Sequence, residues 1–205
     1  MTAPADAMRT ASGALVTVSS TGVKTALPFQ YNPETLRRTF EPNTAGGAPE
    51  ARTQAVRFAA AAAQTISVDC RLSTLHGGVP DPATNGLIPQ LAALEMLVYP
   101  STDSVQAARQ LMTQGALEIL PPVADGLLFV WGQNAVPVRL TSVSVVEELF
   151  DYDLNPIQAT VSLTMRVLTY SDVDPTNPAY QQFFQWQQGM ELLAKGATLA
   201  SGGSS

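Results

Sequence analysis

From Ala159 to Val167 the chain alternates without a break: Ala159, Val161, Leu163, Met165 and Val167 share one parity, and Thr160, Ser162, Thr164 and Arg166 the other. Successive side chains of a strand point to opposite faces, so such a run is satisfied only in a sheet with one side on a core. Asp153 to Pro156 supplies the turn before it. The same period of two recurs from Thr65 to Leu72, where Ile66, Val68, Cys70 and Leu72 oppose Thr65, Ser67, Asp69 and Arg71. It appears again from Val23 to Tyr31, which with Ala14 to Ser19 and the intervening Ser20-Thr21-Gly22 reads as a first hairpin. Leu127 to Trp131 is continuously apolar, as suits a strand covered on both faces. After a turn at Gly132 to Ala135, apolar parity runs through Val136, Val138 and Leu140 but resumes at Val143 and Val145, which predicts a bulge near Thr141 and Ser142.

Helical spacing enters in three places. Leu87, Ile88, Leu91, Leu94, Leu97 and Val98 form one apolar face, with Pro89 in the first turn and Pro100 as a stop. Asp103 to Gly115 reads as a second short helix, capped from Ser101 to Asp103, with Val105, Ala108, Leu111 and Met112 facing one way. Asn177 and Pro178 are an N-cap and first-turn pair for a terminal helix carrying Phe183, Trp186, Met190 and Leu193, interrupted by Gly189. Asn32-Pro33 stops the first hairpin and leads into a helical turn through Glu34 to Leu36, then a short strand from Arg38 to Glu41. Asn43 to Thr53 and Thr74 to Gly86 have loop composition, and no internal repeat is found. Several strands with a few helices make a mainly β, α+β chain.

The 205 residues suffice for one core with appendages: a flexible start over 1–13, a β domain over 14–172, a helix over 173–197 and a disordered tail over 198–205. Only 14% of residues are charged, and the net charge is -6. So sparse a charge leaves a surface suited to being covered, and its sign argues against nucleic acid or an anionic membrane as partner. Met1 to Gly22 lacks the basic start and apolar run of a signal peptide, and no stretch approaches a membrane span, so the chain reads as made and folded in the cytoplasm.

Candidate chemistry is sparse. His76 is the one histidine and Cys70 the one cysteine. They lie close in sequence and form the one nucleophile-base pair the chain offers for a hydrolase. Against that, Cys70 sits on the apolar parity of its strand, where it behaves as a small buried hydrophobe. Glu147, Glu148, Asp151 and Asp153 offer carboxylates for calcium or magnesium, but no Gly-centred loop surrounds them, and a solvated strand end is the simpler reading. Gly46-Gly47 and Gly77-Gly78 lack the context of a phosphate loop. No catalytic residue, cofactor or metal site is therefore assigned, and the chain reads as an assembling protein rather than an enzyme.

LPFQYNPETL at Leu27 to Leu36, LIPQLAALEMLVYP at Leu87 to Pro100, and LLFVWG, PVRLTSVSVVEELFD and LNPIQATVSLTMRVL between Leu127 and Leu168 carry a resemblance. Together they resemble the tube and baseplate-hub proteins of contractile injection systems, which are phage-tail-like particles. The family is built on a tube-protein N-terminal domain, sometimes followed by a LysM module. The resemblance implies two packed antiparallel sheets, as a sandwich or barrel, with a flanking and a C-terminal helix. It also implies a ring, expected to hold six copies, at the base of an inner tube. There the chain would be a tube initiator or hub adaptor, partnered by itself, the inner-tube protein and the spike or baseplate, or alternatively the main tube subunit. This chain ends in a helix and a Gly-Ser tail, so peptidoglycan binding does not carry over. Phe29, Tyr31, Asn32, Pro33, Phe183 and Trp186 are the expected interface residues, with Phe129, Trp131 and Gly132 as central-strand structure. A β-barrel binding a small molecule is the rival of another class, and it requires an apolar interior cavity.

Overall fold

In chain order the computed structural model contains β1 (Ala14–Val18), β2 (Lys24–Pro28), β3 (Leu36–Glu41), β4 (Thr44–Ala45), β5 (Arg57–Phe58), β6 (Ala63–Ser73), α1 (Ile88–Glu95), α2 (Thr102–Thr113), β7 (Gly126–Trp131), β8 (Asn134–Phe150), β9 (Pro156–Val167) and α3 (Pro178–Ser201). It describes residues 13–18, 24–45, 57–75, 85–113 and 126–201. Residues 1–12 of the flexible start expected over 1–13, the turn at Ser20 to Gly22, His76, both Gly-Gly pairs and the last residues of the tail lie outside these.

The fold is mainly β with three helices. Its strands form one antiparallel sheet of seven, in the order β2-β1-β7-β8-β9-β6-β3, and β4 with β5 make a separate two-residue ladder. The expectation of two packed sheets is thus replaced by a single sheet that bends around its own core. Gln30 shows how far it bends. Its amide oxygen accepts from the Ser73 N–H at 2.8 Å and its amide nitrogen donates to the Ser73 carbonyl. That clamp joins the exit of β2 to the end of β6, although β1, β7, β8 and β9 lie between them in the sheet. A side-chain amide here takes the place of a ladder pair, which satisfies backbone groups that closure would otherwise leave bare.

The alternating run of β9 lies at the centre. Val161, Leu163, Met165 and Val167 are fully buried, facing Val68 and Ile66 of β6 and Val145, Val143, Leu140 and Val138 of β8. Each such side chain contributes about 1.5–3 kcal/mol by leaving water. At the other end of the sheet, Phe129 of β7 stacks on Trp131 and tilts against Phe29. Both ends belong to one cluster, with Leu87 just before α1, Leu91 within it and Phe183 from α3. The expected bulge is present: the β8–β9 register shifts between Leu140 and Ser142, and the Thr141 hydroxyl donates to the Thr164 carbonyl at 3.0 Å.

Local differences from the expectations are instructive. After Pro33 the chain bends and enters β3 at Leu36, without the helical turn, because Leu36 pairs with Val68 and extends the ladder instead. The loop expected from Asn43 starts with β4, and the turn expected over Gly132 to Ala135 is only Gly132-Gln133. Gly132 takes φ +61, as the first central position of a primed hairpin turn requires. The helical face from Leu87 stops as α1 at Glu95. The second helix forms from Thr102, after Ser101, whose hydroxyl accepts from the Ser104 N–H. No side chain of α2 is buried, and Leu111 and Met112 are exposed.

Asp172 fastens the turn between β9 and α3. Its carboxylate accepts from the Thr169 N–H at 3.0 Å and hydroxyl at 2.7 Å, and pairs with Arg166 at 3.0 Å. Burial alone would raise its pKa, but the Thr169 hydrogen bonds, with Arg166 and Arg139, outweigh that and hold the carboxyl below its ordinary 3.8. A carboxyl depressed in the fold contributes stability that is complete above its unfolded pKa and is lost as pH falls through the folded value. Asp172→Asn is therefore expected to cost about 1 kcal/mol at pH 7 and to remove part of the stability loss below pH ~4. Urea denaturation of both proteins between pH 3 and 7 measures this, and parallel curves would refute it. Asn177 caps α3 as expected, its Oδ1 accepting from the Ala179 N–H at 2.9 Å.

Candidate assembly surface

β8 is 17 residues long and β7 only 6. Pairing with β7 covers β8 from Asn134 to Val138, whereas pairing with β9 continues to Phe150. Beyond Val138 the outer edge of β8 therefore has no strand partner among the described residues. In this stretch Val146 is 56% exposed, Leu149 50% and Phe150 48%, and Glu147 and Glu148 beside them are exposed too. An unpaired edge of this length with apolar side chains is a template for another strand, which monomeric proteins ordinarily blunt with Lys, Pro or a cover. β3, a terminal strand of the sheet, pairs only with β6 among the described residues and exposes every residue from Arg37 to Glu41.

The hairpin that ends β8 is held firmly. Asp151 accepts from the Asp153 and Asn155 N–H groups at 2.9 and 2.8 Å and from the Asn155 side-chain amide at 2.9 Å. Those bonds from Asn155, its side chain first, lower the Asp151 pKa. They also fix Leu154 in the left-handed region at φ 62, a conformation costing about 1–2 kcal/mol that persists only when neighbours over-determine it. The tip consequently presents Tyr152 and Leu154 to solvent in one geometry.

The residues considered from sequence as an interface divide into two groups. Phe29 and Phe183 are taken up by the core of this chain and have little area left for a partner. Tyr31 and Asn32 are exposed, and Pro33 and Trp186 half-buried. The Asn32 carboxamide braces the chain locally, accepting from the Gly13 N–H at 2.9 Å. Phe129 is core, Trp131 packs against it and Gly132 makes the hairpin turn. In the sequence the segment from Val146 to Phe150 stands out only for its carboxylates; the length mismatch between the two apolar runs is the available signal for an unpaired edge.

The acidic cluster does not converge. Glu148 accepts from Gln158 and Thr160, Asp151 is spent on its own turn, and among the described residues no three His, Cys, Asp or Glu side chains come together to hold a metal. Cys70 is buried, and burial first, then the charge of Asp69, pushes its thiol up to about 12. A thiol so rarely ionised is a poor nucleophile. Beside it lies an apolar pocket of about 420 Å³ between α1 and the sheet, lined by Leu27, Phe29, Leu72, Leu94, Val161 and Leu163 among others. No helix among the described residues is long and apolar enough to cross a membrane.

No family model matches the sequence, and no curated protein matches it. Among solved structures, the chain is similar to one from the virion of a native gene transfer agent particle, at 12% identity and a TM-score of 0.29, covering 76% of this chain and 90% of that chain.

Proposed function

We propose that the chain is a structural subunit of a contractile, phage-tail-like injection particle, assembling through its sheet edges and performing no catalysis. The outer edge of β8 beyond Val138, which has no strand partner among the described residues and along which Val146, Leu149 and Phe150 are exposed, carries this reading. Backbone donors and acceptors in such an edge are satisfied when a neighbouring copy adds a strand, and the flanking apolar area is then removed from water. The sparse charge of the surface accords with it. By the resemblance of its sequence motifs, the layer proposed is the one joining spike to inner tube, in a ring of six, with the main tube subunit as the alternative.

Light scattering after gel filtration, with and without co-expressed tube and spike proteins, tests this reading. Wild type is expected to form a defined oligomer or to enter particles, and Val146→Lys, which charges the edge without touching the core, to stay monomeric and folded. A wild-type chain that is monomeric throughout and never incorporates would overturn the proposal.

The pocket beside Cys70 favours one second reading, a β protein that binds a small apolar molecule, since 420 Å³ falls within the usual range of ligand sites. A monomer that copurifies with such a ligand would support it in place of assembly.

A further inference from the structure

The assembly reading leaves open which surface meets the β8 edge, and on that reading we infer that the partner is β3 of a second copy. β3 is one of the two terminal strands of the sheet, β2 being the other, and β8 has no strand partner beyond Val138 among the described residues, so one molecule carries two unlike edges in β3 and β8. Their charges are opposite. β3 exposes Arg37 and Arg38, the open part of β8 exposes Glu147 and Glu148, and among the described residues none of the four is in an ion pair.

The faces agree as well. Arg38 lies opposite Ile66 and Glu147 opposite Ala159, both partners buried, so Arg38 and Glu147 stand on the core side of the sheet. Arg37 lies opposite Ser67 on the outer side, where Glu148 meets Gln158 and Thr160. A sheet continued across two copies keeps its faces aligned, since a one-residue slip would send each side chain to the wrong side. Antiparallel pairing with Arg38 opposite Glu147 then sets Arg37 opposite Glu148, Thr39 opposite Val146 and Phe40 opposite Val145. Both charge pairs and an apolar pair form in that single register. Parallel pairing with Arg38 opposite Glu147 leaves Arg37 opposite Val146 and Thr39 opposite Glu148, so only one charge pair forms. The contact is heterologous, since one edge of each copy meets the other edge of the next, and such contacts close into rings or run on as filaments.

Charge reversal of the full-length protein tests the inference. R37E/R38E and E147R/E148R, each alone, replace two attractive cross-strand pairs by two repulsive ones, and each is expected to raise the concentration for half-assembly by roughly tenfold or more. An equimolar mixture of the two variants is expected to assemble at the wild-type concentration, with the two alternating, because each then offers the other a complementary edge. Wild-type assembly is expected to weaken between 0.05 and 0.5 M salt, as exposed pairs are screened. Circular dichroism checks that both variants fold. Variants that assemble like wild type, or a mixture of folded variants that does not recover, would overturn the β3–β8 pairing while wild-type assembly still supported the subunit reading. A wild-type chain that never assembles would remove both.

Discussion

Phe129→Ala is expected to destabilise the protein by about 3–5 kcal/mol, a large share of the ~5–15 kcal/mol typical of a domain. Phe129 is 1% exposed, and its ring lies 6.2 Å from Phe29 and 6.0 Å from Trp131 by centroids. It is flanked in the sheet by Leu15 and Val136, both buried. Neighbours pinned by ladder pairs on two sides cannot collapse into the space left by the ring, so the cavity remains and its cost adds to the lost transfer energy. Gly13 closes the same site, since a Cβ there would stand 2.6 Å from the Trp131 ring and 2.7 Å from Phe29. Urea denaturation measures the effect as a lower midpoint at unchanged slope. A loss under ~1 kcal/mol would show that this end of the sheet is loosely packed.

Gly86→Ala is expected to cost about 3 kcal/mol or more and to loosen α1 from the sheet. Gly86 takes φ +57, and a Cβ would lie 2.4 Å from the Pro156 carbonyl oxygen. That oxygen accepts from the Leu87 N–H at 2.8 Å, the bond that ties the start of α1 to the start of β9. Relief of the clash separates the two groups and disturbs Leu87, which is fully buried. Gly132→Ala is the control: its φ is +61 but nothing lies within 4 Å of a Cβ, so it carries only the backbone strain of about 1–2 kcal/mol. Thermal unfolding of the two variants should rank them clearly, and equal losses would mean that the Pro156 contact contributes nothing.

Among the pieces that can be read in the amino-acid order are β9, β6, the Thr141 bulge and the Asn177 cap. Each depends on periodicity or on a side chain bonding to backbone a few residues away, and those are properties of a short segment. The helical turn expected after Pro33 does not form because pairing of Leu36 with Val68 overrides a local preference. For the candidate surface, the exposed carboxylates were legible and their surroundings were not. Glu148 binds Gln158 and Thr160 only because the β8–β9 hairpin and its shifted register place them together.

By itself, then, the alternation from Ala159 to Val167 and its shorter counterparts determined that this is a sheet protein with one apolar face, because a strand's side-chain direction follows from its covalent geometry. Tertiary structure alone decided that the core is built on one seven-stranded sheet and not on two packed sheets. The Gln30–Ser73 clamp spans 43 residues of sequence and appears only once the sheet has rolled. It also decided which edges have no strand partner among the described residues. A free edge is a difference in length between neighbours, and which strands become neighbours is settled by long-range packing of the core that no single segment encodes.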